Sequence, residues 1–139
     1  MKISEKGLDL IKKFEGCKLT AYRCPAGVLT IGYGHTGADV KEGQKITQKK
    51  ANELLKADVE KFEKHVNTYK KYYRFTQNEF DALVSFAFNI GNINQLTKYG
   101  KRNKGIIADK ILQYTKAGGK TLSGLVKRRR AEHDMFIGR

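Results

Sequence analysis

Three side chains near the front of the chain have types and spacing that suit acid-assisted hydrolysis. They are Glu15, then after eight residues Cys24, then after five more Thr30. A carboxyl group can deliver a proton to a leaving oxygen, and a thiol or hydroxyl can activate or hold the attacking water. Hydrolysis of a glycosidic bond has those two requirements, and in its inverting form the two groups flank the bond about 6.5–9.5 Å apart. The surrounding stretch, FEGCKLTAYRCPAGVLTIGYGHT (Phe14–Thr36), contains one acid, and the next acidic residue is Asp39. Gly32 and Gly34 lie near its end and Gly37 follows it at once. A lone carboxyl group followed by a glycine-punctuated apolar run reads as a site. Spacing alone does not single out this chemistry, because many helix–hairpin units carry an acid and a thiol.

The elements that must hold these residues follow from the flanking sequence. Ser4 is placed to cap a helix, with Glu5 in its first turn. Leu8, Ile11 and Phe14 follow helical spacing and Gly16 stops the run. Glu15 therefore sits at the carboxyl end of the helix, where the dipole disfavours negative charge, while Lys18 and Arg23 favour it. From Leu19 to Tyr33 the strand formers Thr20, Tyr22, Val28, Thr30 and Ile31 are broken by Cys24-Pro25-Ala26-Gly27. That pattern predicts an antiparallel hairpin with Cys24 at its turn and Thr30 on its return strand, and a third short strand near Lys45-Ile46.

Helices are predicted over the rest. Thr47 caps one over Gln48–Tyr69. Thr76-Gln77-Asn78-Glu79 is a full capping box, and the run Phe80–Ile90 is apolar almost all round, as a buried helix ending at Gly91 would be. Asn92–Lys104 reads as irregular and basic with one helical turn, Gly105–Ala117 as a helix stopped by Gly118-Gly119, and Ser123 as the cap of a last helix. The expected class is α+β and mostly helical. A small antiparallel sheet lies in the front lobe, and a long helix joins it to a helical second lobe with a cleft between.

The chain has 139 residues, with 28 Lys+Arg against 14 Asp+Glu and a net charge of +14. That length suits one domain with a core that needs no disulfide or metal. The charge favours anionic partners: nucleic acid, a membrane surface or an acidic cell-wall polymer. Cys17 and Cys24 do not match a zinc pattern with the scattered His35, His65 and His133. MKISEKG lacks an apolar run, which predicts synthesis and accumulation in the cytoplasm without a signal peptide or membrane anchor.

At this point a resemblance becomes specific. Glu-x8-Cys-x5-Thr resembles the catalytic signature of phage-type lysozymes, the muramidase endolysins, whose second residue is Asp or Cys. SFAFNIG (Ser85–Gly91) and GLVKRRRAE (Gly124–Glu132) resemble two further family segments in the right order. The resemblance implies one lysozyme-like domain over 1–139, with a sheet-bearing lobe over about 15–60 and a helical lobe over about 70–139 plus the N-terminal helix. It implies cleavage of the β-1,4 bond between N-acetylmuramic acid and N-acetylglucosamine in peptidoglycan. Glu15 would be the acid, and Cys24 and Thr30 would manage the water, Cys24 as base, nucleophile or water positioner. No metal or organic cofactor is implied. A phage lysis enzyme of this kind would act on the wall as a monomer, after export through a separate pore-forming holin. It would bind no nucleic acid and insert stably in no membrane.

Plainer readings stand beside these. Cys17 reads as a half-buried apolar group, with a Cys17–Cys24 disulfide as a minority alternative. His35 reads as a structural hydrogen-bonding residue toward Asp39 or Asp58, and Asn89 as a structural amide. Lys127–Arg130 reads as a solvated basic face, with Arg128 or Arg129 alternatively pairing Glu15 or touching substrate. The competing functions are a lytic transglycosylase on the same bond and a basic nucleic-acid- or membrane-binding protein. The basic residues are spread along the chain and match no nucleic-acid-binding motif.

Overall fold

A computed structural model describes all residues, 1–139. The helices are α1 (Glu5–Glu15), α2 (Gln48–Asn67), α3 (Gln77–Ile90), α4 (Asn94–Thr97), α5 (Lys104–Ile111) and α6 (Ser123–Phe136). The strands are β1 (Lys18–Arg23), β2 (Leu29–Gly32), β3 (His35–Thr36), β4 (Lys116–Ala117) and β5 (Lys120–Thr121). The expected class, mostly helical with a small antiparallel sheet, is the one observed. The chain divides into two compact units, Lys12–Glu60, and Met1–Ile11 with Lys61–Arg139.

In the unit Lys12–Glu60 the sheet order is β1-β2-β3, antiparallel throughout. Pro25 and Gly27 fold the β1–β2 connection into a tight turn. The Cys24 N–H donates to the Val28 carbonyl at 3.0 Å, and the Gly27 N–H donates to the Cys24 carbonyl at 2.7 Å. The third strand is not at Lys45-Ile46: β3 is His35–Thr36, paired with β2 through Ile31↔His35 and Thr30↔Thr36. Lys45 makes only an isolated bridge to Thr20, on the other edge. Glycine-rich Gly32–Gly34 reverses the chain within two residues, which brings β3 back at once. Apolar Ile31, Val40, Ala51, Leu55 and Val59 are buried, so β2 is the strand that faces the core. Thr47 caps α2 as expected, its hydroxyl accepting from the Lys50 N–H at 3.1 Å.

In the other unit α3 is the centre. Both halves of its capping box are present between Thr76 and Glu79. Its residues from Phe80 to Ala87 are all buried, including the polar Asp81 and Ser85. Asp81 accepts from the Ser4 hydroxyl, the Ser4 N–H at 2.9 Å and the Gln77 amide at 2.8 Å, so its burial is matched by donors. The helix predicted over Gly105–Ala117 stops at Ile111. Gly118 and Gly119, at φ of +57° and +79°, are instead the two central residues of a hairpin between β4 and β5. Tyr114 continues the helical spacing yet lies outside the helix, where its ring meets Phe86 edge-on at 5.0 Å. Ser123 is the first residue of α6 and not its cap; Leu122 holds the cap position without a side-chain bond.

Candidate active site

Glu15 is the last residue of α1, which the Gly16 N–H closes on the Lys12 carbonyl at 3.0 Å. Its side chain is half-buried and lies against the β2–β3 turn. A Cβ built on Gly34 would come within 3.3 Å of Glu15 Oε1, and the Gly34 φ is +80°. A side chain there would both strain the backbone and crowd the carboxyl group. The glycine is what lets the turn approach the acid.

Cys24 and Thr30 are brought together across the hairpin. The Cys24 thiol is held below its ordinary pKa, first by the backbone of Val28 and then by that of Ala26; burial opposes them, and the Thr30 hydroxyl adds a lesser lowering. Thr30 is buried, and its hydroxyl donates to the Val28 carbonyl at 2.9 Å. Whether its one proton goes to that carbonyl or to the sulfur, its lone pairs remain able to accept. Arg23 does not serve the thiol, although it is the neighbour in sequence. Its guanidinium donates to the Gly27 carbonyl at 2.9 Å and lies 3.5 Å from Glu42.

His35 follows Gly34 and is gripped from both sides, by both of the acids the sequence offered. Nδ1 lies 2.8 Å from Asp58 Oδ2 and Nε2 lies 2.9 Å from Asp39 Oδ2. Burial works against charge on the ring, but the bonds to Asp58 and Asp39 overcome it and raise the pKa. Asp39 is correspondingly lowered, mainly by its bond to His35. A raised histidine contributes stability that is complete below its unfolded pKa of about 6.5 and is lost as pH rises through the folded value. Asp58→Asn should therefore lower stability by about 1–2 kcal/mol at pH 5.5, with a smaller loss at pH 9. Chemical denaturation at the two pH values measures both. Equal losses would mean that the ring is not charged in this clamp.

Both cysteines are free, and the half-buried Cys17 sulfur lies 3.9 Å from Gln48 Oε1. No group of three or more His, Cys, Asp or Glu side chains is placed to hold a metal ion. No helix is long and apolar enough to cross a membrane.

The unit Met1–Ile11 with Lys61–Arg139 contains a polar cluster that the sequence reading misplaced. Lys127–Arg130 is not a solvated face, because Arg128 and Arg129 are buried. Arg129 donates to Glu132 Oε1 at 2.7 Å and to Asn89 Oδ1, and its guanidinium lies 5.0 Å from the centre of the Phe86 ring. Arg128 donates to Glu132 Oε2 at 3.2 Å and to the Ser85 carbonyl at 3.1 Å. The Ser85 hydroxyl donates to Glu132 Oε2 at 2.6 Å. Burial pushes the Glu132 carboxyl up and the Arg129 guanidinium down, and their pairing opposes both. The usable sequence signal was an acid three and four residues after two arginines, on one face of a helix.

A sheet-bearing unit with an acid at a helix end and a thiol–hydroxyl pair on the adjoining hairpin, in a chain that is mostly helical, marks a lysozyme-type protein. An endolysin from Escherichia coli O157:H7 phage FAHEc1 superposes with a TM-score of 0.88 at 44% identity, over 99% of this chain and 94% of that one. The phage lysozyme family model matches residues 12–132, and the chain belongs to that family. The endolysin of Bacillus phage B103 is 42% identical over 99% of this chain, which spans only 54% of that relative's length. The endolysin of Salmonella phage P22 is 37% identical over 99% of both chains.

Proposed function

We propose that this protein is a muramidase, cleaving the β-1,4 bond between N-acetylmuramic acid and N-acetylglucosamine in bacterial peptidoglycan. The observation that carries the reading is the placement of Glu15 against Gly34 on the same unit as the Cys24–Thr30 pair. Glu15 donates its proton to the glycosidic oxygen as the bond breaks. A water held between sulfur and hydroxyl donates one hydrogen to Thr30 Oγ1. The thiolate of Cys24, favoured by the surrounding backbone, takes the other as the water attacks. Cys24 is then the base and Thr30 the positioner.

Two variants test that assignment. Cys24→Ala should lose about 10²-fold or more in kcat with KM little changed, while Cys24→Asp should stay within about tenfold of wild type. A fully active Cys24→Ala would remove the thiol from the mechanism. The reaction itself is tested by digesting purified peptidoglycan and identifying product ends by mass spectrometry. New reducing ends are expected. A 1,6-anhydro end would mean a transglycosylase, and no release of fragments would end the enzyme reading.

The relatives named endolysins support a role in host lysis. In this reading the chain is made in the host cytoplasm, works as a monomer, and reaches the wall through a separate pore-forming holin. It needs no cofactor and no nucleic acid. Expressed alone, it should leave cells intact until the membrane is permeabilised, with turbidity falling only then. Lysis without permeabilisation would show a different route to the wall.

A further inference from the structure

Outside the unit that carries Glu15, three surface hollows surround α4, and Tyr99 lines all of them. The largest is an open basin of about 420 Å³. Its cations are Lys98, Arg102 and Lys110, from the end of α4, the following loop and α5. Gln95 and Gln113 add amides, and Tyr99 and Tyr114 supply aromatic walls. No acidic residue lines it.

The backbone beneath is held in an unfavourable form. Lys98 and Tyr99 have φ of 51° and 54°, a left-handed conformation that Cβ-bearing residues avoid. Such residues persist only where the surroundings over-determine them. Here the Tyr99 N–H donates to the Asn94 carbonyl at 2.8 Å, and the Gly100 N–H donates to the Thr97 hydroxyl at 3.2 Å. Arg102 Nη1 donates to the Leu96 carbonyl at 3.1 Å. The result is that Tyr99 stands 62% exposed at the rim of a cationic hollow.

We propose that this basin binds a phosphate-bearing polyol or sugar, as in a phosphodiester-linked wall polymer. A carboxylate is planar and is best met by one guanidinium offering two parallel donors. Arg102 commits Nη1 to the Gln95 and Leu96 carbonyls and keeps one edge, Nε and Nη2, so most of the basin's donors are the separate ammonium groups of Lys98 and Lys110 and the amides of Gln95 and Gln113. A phosphate takes donors from several directions, which suits two lysines, one remaining guanidinium edge and two amides. The tyrosine faces take the C–H surface of the polyol or sugar. None of the proposed catalytic residues is among those that line it.

Calorimetric titration of the full chain with a glycerol-phosphate oligomer at 0.15 M salt (about physiological) tests this. Saturable binding is expected, and Glu15→Gln should bind as wild type does. Lys98→Gln/Lys110→Gln should weaken binding about tenfold. The charge-matched pair Lys56→Gln/Lys64→Gln, exposed on α2, should change it by less than about twofold. Tyr99→Gly should weaken binding while leaving Tm unchanged or higher, since it relieves the left-handed backbone. Absence of saturable binding would overturn the proposal. So would equal weakening by the two lysine pairs, or equal binding of a carboxylate polymer of matched charge.

Discussion

Glu15→Gln should cut kcat on purified peptidoglycan by about 10²–10⁴-fold while KM and the fold are retained. The amide is the same size as the acid and fits the same space against Gly34, but it has no proton to give to the leaving oxygen. Tm should stay within about 3 °C, because the change alters charge and not packing. A loss confined to KM would mean that Glu15 holds substrate without delivering a proton. A variant with more than a tenth of wild-type turnover would remove it as the acid.

Glu132→Leu should be the most destabilising single change outside that site, by about 3–5 kcal/mol. Glu132 accepts from Arg129, Arg128 and Ser85 in a place without water access. Its removal leaves buried guanidinium donors and a hydroxyl facing an alkyl group. On a chain this size the loss corresponds to a fall in Tm of about 10–20 °C. Adding Arg129→Met should restore part of it, since an apolar pair replaces a broken ionic one. The double variant being less stable than Glu132→Leu would show that Arg129 holds the unit together through Asn89 and Phe86 instead. A loss below about 1 kcal/mol for the single variant would show that the cluster is not needed.

The parts of the fold legible in the sequence were those fixed by local physics. The capping box at Thr76–Glu79, the turn at Cys24–Gly27 and the apolar run of α3 each depend on residues within a few positions of one another. The same is true of the spacing that put Cys24 at a turn and Thr30 on the next strand. What escaped depends on contacts distant in sequence. Lys45 has strand-like neighbours, but β2 is already paired on both sides, by β1 and by His35–Thr36. Tyr114 keeps helical spacing because Phe86 wants an aromatic partner, not because a helix continues there. Arg128 and Arg129 read as solvated because Ser85, which accepts from Arg128, and Asn89, which accepts from Arg129, lie 43 and 40 residues away. Burying charge is rare enough that a sequence pattern rightly weighs against it.

The β1–β2–β3 sheet has two borders, and neither offers a free row of donors and acceptors. Along β1 the pairing slips between Lys18 and Tyr22, and Gln44–Ile46 covers the strand with bonds at Ala21 and Leu19 of 2.8 and 2.9 Å. The opposite border, β3, is two residues long. Open, regular strand borders are where identical chains stack into aggregates. A chain protected in this way and carrying +14 charge leaves few openings for strand-to-strand association between its own copies, because no border is regular and like charge keeps copies apart.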